Sequence, residues 1–191
     1  MGRNAIVVLI AALTLVGLNL TNARGGDTVL LKGNHPPEAV TLRSIGDADP
    51  NAHLSMEIRF AVRNQAELDQ LLADQQNPSS PNFHHWLASG EYNQRFGPRQ
   101  ADLDAVSEWL RSEGFTVEPV SNGALKFSGT VAQAEHAFST RIELFGNGTT
   151  YANVDDPSIP ARFDCVIAAV LGLDNMMRAV PLSHSTLRQS H

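Results

Sequence analysis

The sequence predicts an α+β domain, an antiparallel sheet with helices packed on one face. Three observations predict it. Leu54, Met56, Ile58, Phe60 and Val62 alternate with Ser55, Glu57, Arg59, Ala61 and Arg63, a period-two pattern that reads as a strand with one buried face. Asn64 with Glu67, and Thr130 with Gln133, stand at capping-box spacing ahead of apolar residues at helical intervals. Asn122-Gly123 separates two short apolar runs, which is the strongest short hairpin signal. The resulting order is strand, helix, helical connection, helix, strand, strand, helix, strand, with an added hairpin strand. That is a split βαβ, or ferredoxin-like, arrangement.

The chain begins with a pattern for export. Arg3 supplies a positive charge, Ala5 to Leu18 is apolar except for Thr14 and Gly17, and Thr21-Asn22-Ala23 offers small residues for cleavage. The apolar run is shorter than the roughly 20 residues of a spanning helix, so residues 1–23 read as a signal peptide and no stable membrane anchor is expected. Residues 24–53 carry Gly25-Gly26, Gly33, Pro36-Pro37 and Pro50 around one short apolar run, Val29-Leu30-Leu31. They read as an extended, partly mobile lead-in with one edge strand.

After the strand over 54–63, Asn64 caps a helix whose stripe is Leu68, Leu71 and Leu72. It ends before Asn77-Pro78. The connection from Pro78 through Pro81 to Phe83, His84, His85, Trp86 and Leu87 is rigid and aromatic, and its apolar residues are expected to pack inward as anchors. Gly97 breaks the pattern after Phe96, and Pro98 starts the next helix. That helix carries Leu103, Val106 and Leu110 on one face beside Trp109, and Gly114 ends it. Phe115 to Val120 and Ala124 to Phe127 pair through the Asn-Gly turn, with Pro119 restricting the first to an edge or bulge. Thr130 and Gln133 then cap a helix facing inward with Val131, Ala134, Ala137 and Phe138. Arg141 to Phe145 and Thr149 to Ala152 are strands around Gly146-Asn147-Gly148. A last buried short helix is expected over Phe163, Val166, Ile167, Val170 and Leu171, and residues 176–191 read as a tail.

Composition limits the function. The 191 residues are 42% hydrophobic and 18% charged, as in a packed domain, and the net charge of −6 argues against a nucleic-acid partner. A single cysteine, Cys165, allows no disulfide within the chain.

The chemical groups form no convincing site. Ser128 in Ser128-Gly129-Thr130 follows a strand, Thr130 already serves as a cap, and no Gly-x-Ser-x-Gly elbow surrounds it. His84 and His85 are adjacent, so they do not face one point on a helix, and no other metal-ligand pattern accompanies them. Asp155, Asp156 and Asp164 match no calcium loop. Cys165 sits among apolar residues and reads as a buried small hydrophobe. Trp86 and Trp109 read as core or interface anchors. Asn147-Gly148-Thr149 matches a glycosylation sequon. No cofactor and no metal are expected.

The stretch from Leu71 through Asn77-Pro78-Ser79-Ser80-Pro81-Asn82-Phe83-His84-His85-Trp86-Leu87 resembles the signature of the activation propeptide of sedolisins, the serine-carboxyl peptidases. The resemblance continues at Phe96-Gly97-Pro98, Val106, Trp109-Leu110, Phe127-Ser128-Gly129-Thr130, Gln133 and Ala137-Phe138. It runs on through Tyr151-Ala152-Asn153 and Pro157-Ser158-Ile159-Pro160 to Gly172-Leu173-Asp174. In consistent order it covers roughly residues 54–175. It implies a fold similar to subtilase prodomains. It also implies a role as folding chaperone and inhibitor of a separately encoded peptidase catalytic domain, with the sheet face docked on that domain and the segment after Leu173 running toward its cleft. The family's catalytic Glu, Asp and Ser and its calcium site have no counterpart in this sequence, so it is not expected to be a peptidase itself. The alternative is a truncated or remnant propeptide serving as an exported protein-binding domain.

Overall fold

In chain order the lead-in comes first, and it is built from short pieces. Strand β1 is Thr28–Leu30, helix α1 is Pro37–Thr41 and strand β2 is Ser44–Asp47. Pro36 caps α1 and Pro37 opens it, where a missing N–H costs nothing. The computed structural model describes residues 27–88, 90–120 and 124–176. The leader expected over 1–23, the Ser121-Asn122-Gly123 turn and the tail after Met176 lie outside the described residues.

Strand β3, His53–Phe60, follows the predicted alternation, with Leu54, Met56 and Ile58 buried and His53, Ser55 and Arg59 exposed. Helices α2 (Gln65–Gln76), α3 (Glu91–Arg95) and α4 (Gln100–Ser112) lead to the short strand β4, Thr116–Val117. Strand β5 is Ala124–Thr130 and helix α5 is Val131–Phe138, with the Thr130–Gln133 capping box formed in both directions. Strands β6 (Ile142–Phe145), β7 (Thr150–Asn153) and β8 (Ser158–Pro160), a 3-10 turn at Ala161–Phe163 and strand β9 (Ile167–Leu171) complete the order.

Among the described residues β4-β5-β3-β9 form a four-stranded sheet, antiparallel at every neighbour. The first and last strands of the βαββαβ unit, β3 and β9, lie side by side, and the hairpin partner β5 fills the other side of β3. This is the strand order of a split βαβ unit. Register places Leu54, Met56 and Ile58 of β3 level with Gly129, Phe127 and Leu125 of β5. Val170 of β9 lies opposite Ile58. These side chains form one face, and α4 and α5 cover it with Val106, Trp109, Leu110, Val131, Ala134 and Phe138. Trp109 stands edge-on to Phe138 at 5.7 Å and lies 5.5 Å from Phe163. Burying such an aromatic cluster supplies much of the stabilisation, at about 25 cal/mol for each Å² of apolar surface. Two smaller sheets, β1-β8 and β2-β6-β7, flank this unit.

Several expectations are corrected. The last element is not a buried helix: after the turn at Ala161–Phe163, residues Ile167–Leu171 form β9 and pair with β3. A short apolar run fits a buried strand and a buried helix equally, and the β-branched Ile167 and Val170 were the available signal. The fourth strand of the main sheet is therefore β9, whereas Ile142–Phe145 belongs to the β2-β6-β7 sheet. The lead-in supplies two strands and a helix instead of one edge strand. Asn64 does not cap α2 through its side chain: it adopts a left-handed conformation, φ 52°, and its Nδ2 donates to the Arg95 carbonyl at 3.4 Å. The α2 stripe is only half-buried, with Leu72 46% exposed, and the buried residue of that helix is Gln75. Helix α4 starts at Gln100, not Pro98, and the helical part of the connection before it is α3, Glu91–Arg95, beyond the aromatic run. Cys165 is exposed, in the turn that leads into β9.

Candidate partner-binding surface

The face of the main sheet opposite the helices is built by the other half of the alternation. Ser55 of β3 lies across from Ser128 of β5, and Ser128 lies across from Thr116 of β4. In the next row Glu57 stands between Lys126 on one side and Leu171 on the other. Arg59 follows, level with Ala169 of β9. The Arg59 Nε atom sits 2.8 Å from Glu57 Oε1. The face therefore carries small residues at one end and a Glu57–Lys126–Arg59 charge group at the other. Small side chains leave room for a close-packed partner, and charges of both signs fix its register.

Ser128 lies in the middle of this face. It is half-buried there, level with Ser55 of β3 and Thr116 of β4. Its neighbours in the sequence have structural duties. Phe127 is buried and meets Phe115 at 5.1 Å. A Cβ on Gly129 would come within 2.5 Å of the Phe115 ring, so only glycine lets that ring pack flat on β5. Thr130 caps α5, and Phe138 is fully buried beneath it. Gly172 turns the chain out of β9 at φ 89°, where a Cβ would overlap the Ser55 carbonyl, and Leu173 beyond it is buried.

The Pro78–Leu87 connection takes the opposite form to the one expected. Phe83 and Leu87 are half-buried, while Trp86 is 73% exposed. The expectation of Trp86 as an inward anchor fails because Phe83-His84-His85-Trp86 is not helical, so the i, i+3 spacing does not put the rings on one face. The segment is a pair of turns. Pro78 and Pro81 are exposed within it, with Ser80 N donating to the Asn77 carbonyl at 2.9 Å and His85 N to the Asn82 carbonyl at 3.0 Å. His84 has φ 57° and stacks on Phe83 at 3.8 Å, with Trp86 6.1 Å away on a nearly parallel plane. Helix α2 grips this turn: His84 N donates to the Gln75 carbonyl at 3.1 Å, and Gln75 Nε2 donates to the His85 carbonyl at 2.5 Å.

The base of the α2–α3 excursion is held by arginines. Arg63 donates to the Gly97 carbonyl through Nε and to the Gln94 carbonyl at 2.6 Å through Nη2. Arg95 bridges Glu67 at 2.7 Å and Glu91 at 3.0 Å. The Ala88 amide and the Arg95 guanidinium hold the Glu91 carboxyl below its ordinary pKa. Phe96 is fully buried below Tyr92, and Gly97 fits because a Cβ there would lie 2.7 Å from the Asn93 carbonyl. Pro98 is half-buried ahead of α4.

A second polar cluster ties the lead-in to the loop between β7 and β8. His35 Nδ1 lies 2.7 Å from Asp156 Oδ1, and Gly33 N donates to Asp156 Oδ2 at 3.0 Å. Burial pushes the Asp156 pKa up, but the bonds from His35 and Gly33 outweigh it and the net shift is downward. Asp155 faces Arg141 at 3.9 Å and Asp164 ends the 3-10 turn, so the three aspartates do not converge. Among the described residues no three His, Cys, Asp or Glu side chains are placed to hold a metal ion, and no helix is long and apolar enough to cross a membrane. Sequence reasoning missed Asn34, His35, Gln75 and Arg95, whose partners are distant in sequence or made by loop backbone. The Glu57–Arg59 alternation was the visible trace of the open face.

The sequence matches the family model described as the pro-kumamolisin activation domain over residues 41–176. It is 35% identical over 135 residues to Xanthomonalisin from Xanthomonas sp., covering 69% of this chain and 16% of that protein. It is 30% identical over 140 residues to Sedolisin from Pseudomonas sp., covering 71% of this chain and 23% of that protein. Similarity extends to Aorsin from Aspergillus oryzae, at 31% identity over 106 residues, covering 53% of this chain and 16% of that protein. The chain thus spans less than a quarter of the length of each of these relatives, and the part matched is their N-terminal prodomain region.

Proposed function

Because this chain belongs to the pro-kumamolisin activation domain family, we propose that it binds the catalytic domain of a sedolisin-type serine peptidase, assists its folding and inhibits it. The observation that carries the reading is the family match over 41–176 in a chain that presents an open, two-signed sheet face. A preformed face that binds only the native peptidase stabilises that state by mass action. The same contact holds the inhibitor over the enzyme, and the segment after Leu173 leads from the sheet edge toward the substrate cleft. The leader pattern at the N-terminus supports export of the chain, where such peptidases meet it.

Acid weakens the complex in this reading. Carboxylates and histidines at the contact take up protons in acid, which alters the charge pairing across it. Equal affinity at pH 7 and pH 4 overturns that part.

The test is refolding in trans. Denatured mature Xanthomonalisin catalytic domain is diluted with and without this protein, and the yield of active enzyme is measured. The native enzyme is then titrated with this protein at neutral pH. Higher recovery and saturable inhibition are expected. Neither effect, with this protein folded throughout, overturns the reading.

A further inference from the structure

The family role uses the sheet face and leaves the aromatic row at the end of the α2–α3 excursion without a task. Resting on the reading above, we propose that Trp86 anchors a second docking site for the same peptidase domain, inserting into an apolar pocket with a basic rim on that partner.

Trp86 is 73% exposed, and the same excursion leaves Leu72 and Tyr92 exposed. A large aromatic ring in water forgoes the burial that Trp109 achieves elsewhere in this chain. The fold also commits rigid structure to that display. His84 is held at φ 57°, a left-handed conformation that is uncommon and strained for a residue other than glycine. Its ring is clamped on Phe83, and Gln75, only 4% exposed, uses its carbonyl to fix the His84 amide and its Nε2 to fix the His85 carbonyl. Asn82 Nδ2 adds a bond to Asp74 Oδ2 at 3.2 Å. A plain connection between two helices needs neither the strain nor the exposed indole. A binding anchor benefits from both, because a backbone already fixed on the N-terminal side of the indole lowers the entropy lost on docking, and tryptophan leads the residues that dominate interfaces.

Charge selects the occupant. Between Gln65 and Arg95 the chain carries Glu67, Asp69, Asp74 and Glu91 against Arg95 as the one lysine or arginine. A second copy of this chain would bring two acidic excursions together, and an anionic membrane surface would repel one. A pocket rimmed by basic side chains complements it.

The experiment labels this protein alone with 5-fluorotryptophan. Trp86 and Trp109 give two fluorine resonances, assigned with Trp86→Phe. The probe is the mature Xanthomonalisin catalytic domain with its active site blocked. On titration the Trp86 resonance is expected to shift and the Trp109 resonance to stay. Trp86→Ala is expected to keep the denaturation midpoint and to weaken binding about 30-fold, the factor for a residue worth about 2 kcal/mol at an interface. If Trp86→Ala binds as tightly as wild type while Arg59→Glu binds weakly, the Trp86 site is overturned and the sheet reading stands. If the wild-type protein does not bind this peptidase, both are overturned. A Trp86 resonance that moves with concentration of this protein alone makes a second copy the occupant and overturns the proposal.

Discussion

Asn34 pairs with Val170 as a neighbouring strand would: its Nδ2 donates to the Val170 carbonyl at 2.9 Å and its Oδ1 accepts from the Val170 amide at 2.7 Å. The two residues are 136 positions apart, and the carboxamide closes the outer edge of β9 without a further strand. Asn153, fully buried, donates in turn to the Asn34 carbonyl at 2.8 Å. Asn34→Ala leaves a partly buried donor and acceptor unpaired, so a loss of about 2–3 kcal/mol is expected in urea unfolding. Hydrogen exchange at the Val170 amide should accelerate while the amides of β5 stay protected. An unchanged Val170 rate would show that β9 holds its edge by other means.

The His35–Asp156 contact makes part of the stability acid-labile. The Asp156 pKa is lowered in the folded chain, so its contribution is fully present above the unfolded value and is lost as pH falls through the lower folded one. The affected window lies below about pH 4, where aspartate ordinarily titrates. Wild type should exceed Asp156→Asn in urea midpoint by a constant margin at neutral and mildly acid pH, and the margin should shrink as pH falls through that window. A margin independent of pH down to strong acid would remove Asp156 from the acid response.

Two glycines at similar φ separate strain from overlap. Gly33 has φ 78° with open space around its Cα, whereas Gly172 has φ 89° and a Cβ there would overlap the β3 backbone at Ser55. Gly33→Ala should cost about 1–2 kcal/mol, the left-handed penalty alone. Gly172→Ala should cost about 3 kcal/mol or more, because β3 and the chain leaving β9 must also move apart. Thermal unfolding of the two variants side by side checks the order, and equal losses would refute the overlap.

Ser139 offers the reverse effect. It ends α5 in a left-handed conformation, φ 49° and ψ 45°, a position that glycine occupies without a Cβ clash. Ser139→Gly should raise stability by about 0.5–1 kcal/mol, since the Cβ conflict outweighs the added freedom of the unfolded chain. A fall in the melting temperature would mean that the hydroxyl contributes a bond in solution.

The parts of the fold legible in the sequence were those with a local period or a local partner. β3 alternates over its whole length, and the Thr130–Gln133 box involves residues three apart, so both needed no knowledge of the rest of the chain. Where the deciding partner was distant, local signals misled. Asn64 and Glu67 had capping-box spacing, but Arg95 takes Glu67, and Asn64 turns left-handed toward the Arg95 carbonyl. Ile167 to Leu171 could be assigned to a strand only by knowing that β3 has a free edge. The open face was implied by the polar half of the β3 alternation, yet its width depends on β4, β5 and β9, which no local pattern brings together.

Trp86 and Trp109 divide the remaining question between them. Both were eligible as core anchors on composition, but Trp109 is 6% exposed among Phe138 and Phe163, and Trp86 lies outside. Truncating Trp109 leaves a cavity at the contact of α4 with α5, so Trp109→Ala should cost about 3–5 kcal/mol. Trp86→Ala removes an exposed ring that lies along the Phe83–His84 stack and should change stability by about 0.5 kcal/mol, the range of a surface substitution. Urea unfolding followed by circular dichroism compares them without relying on tryptophan fluorescence. If Trp86→Ala loses as much as Trp109→Ala, the indole is buried in solution and cannot serve as a docking anchor. If it loses almost nothing, the strain at His84 and the grip of Gln75 are serving display and not stability, which is the condition that the second docking site requires.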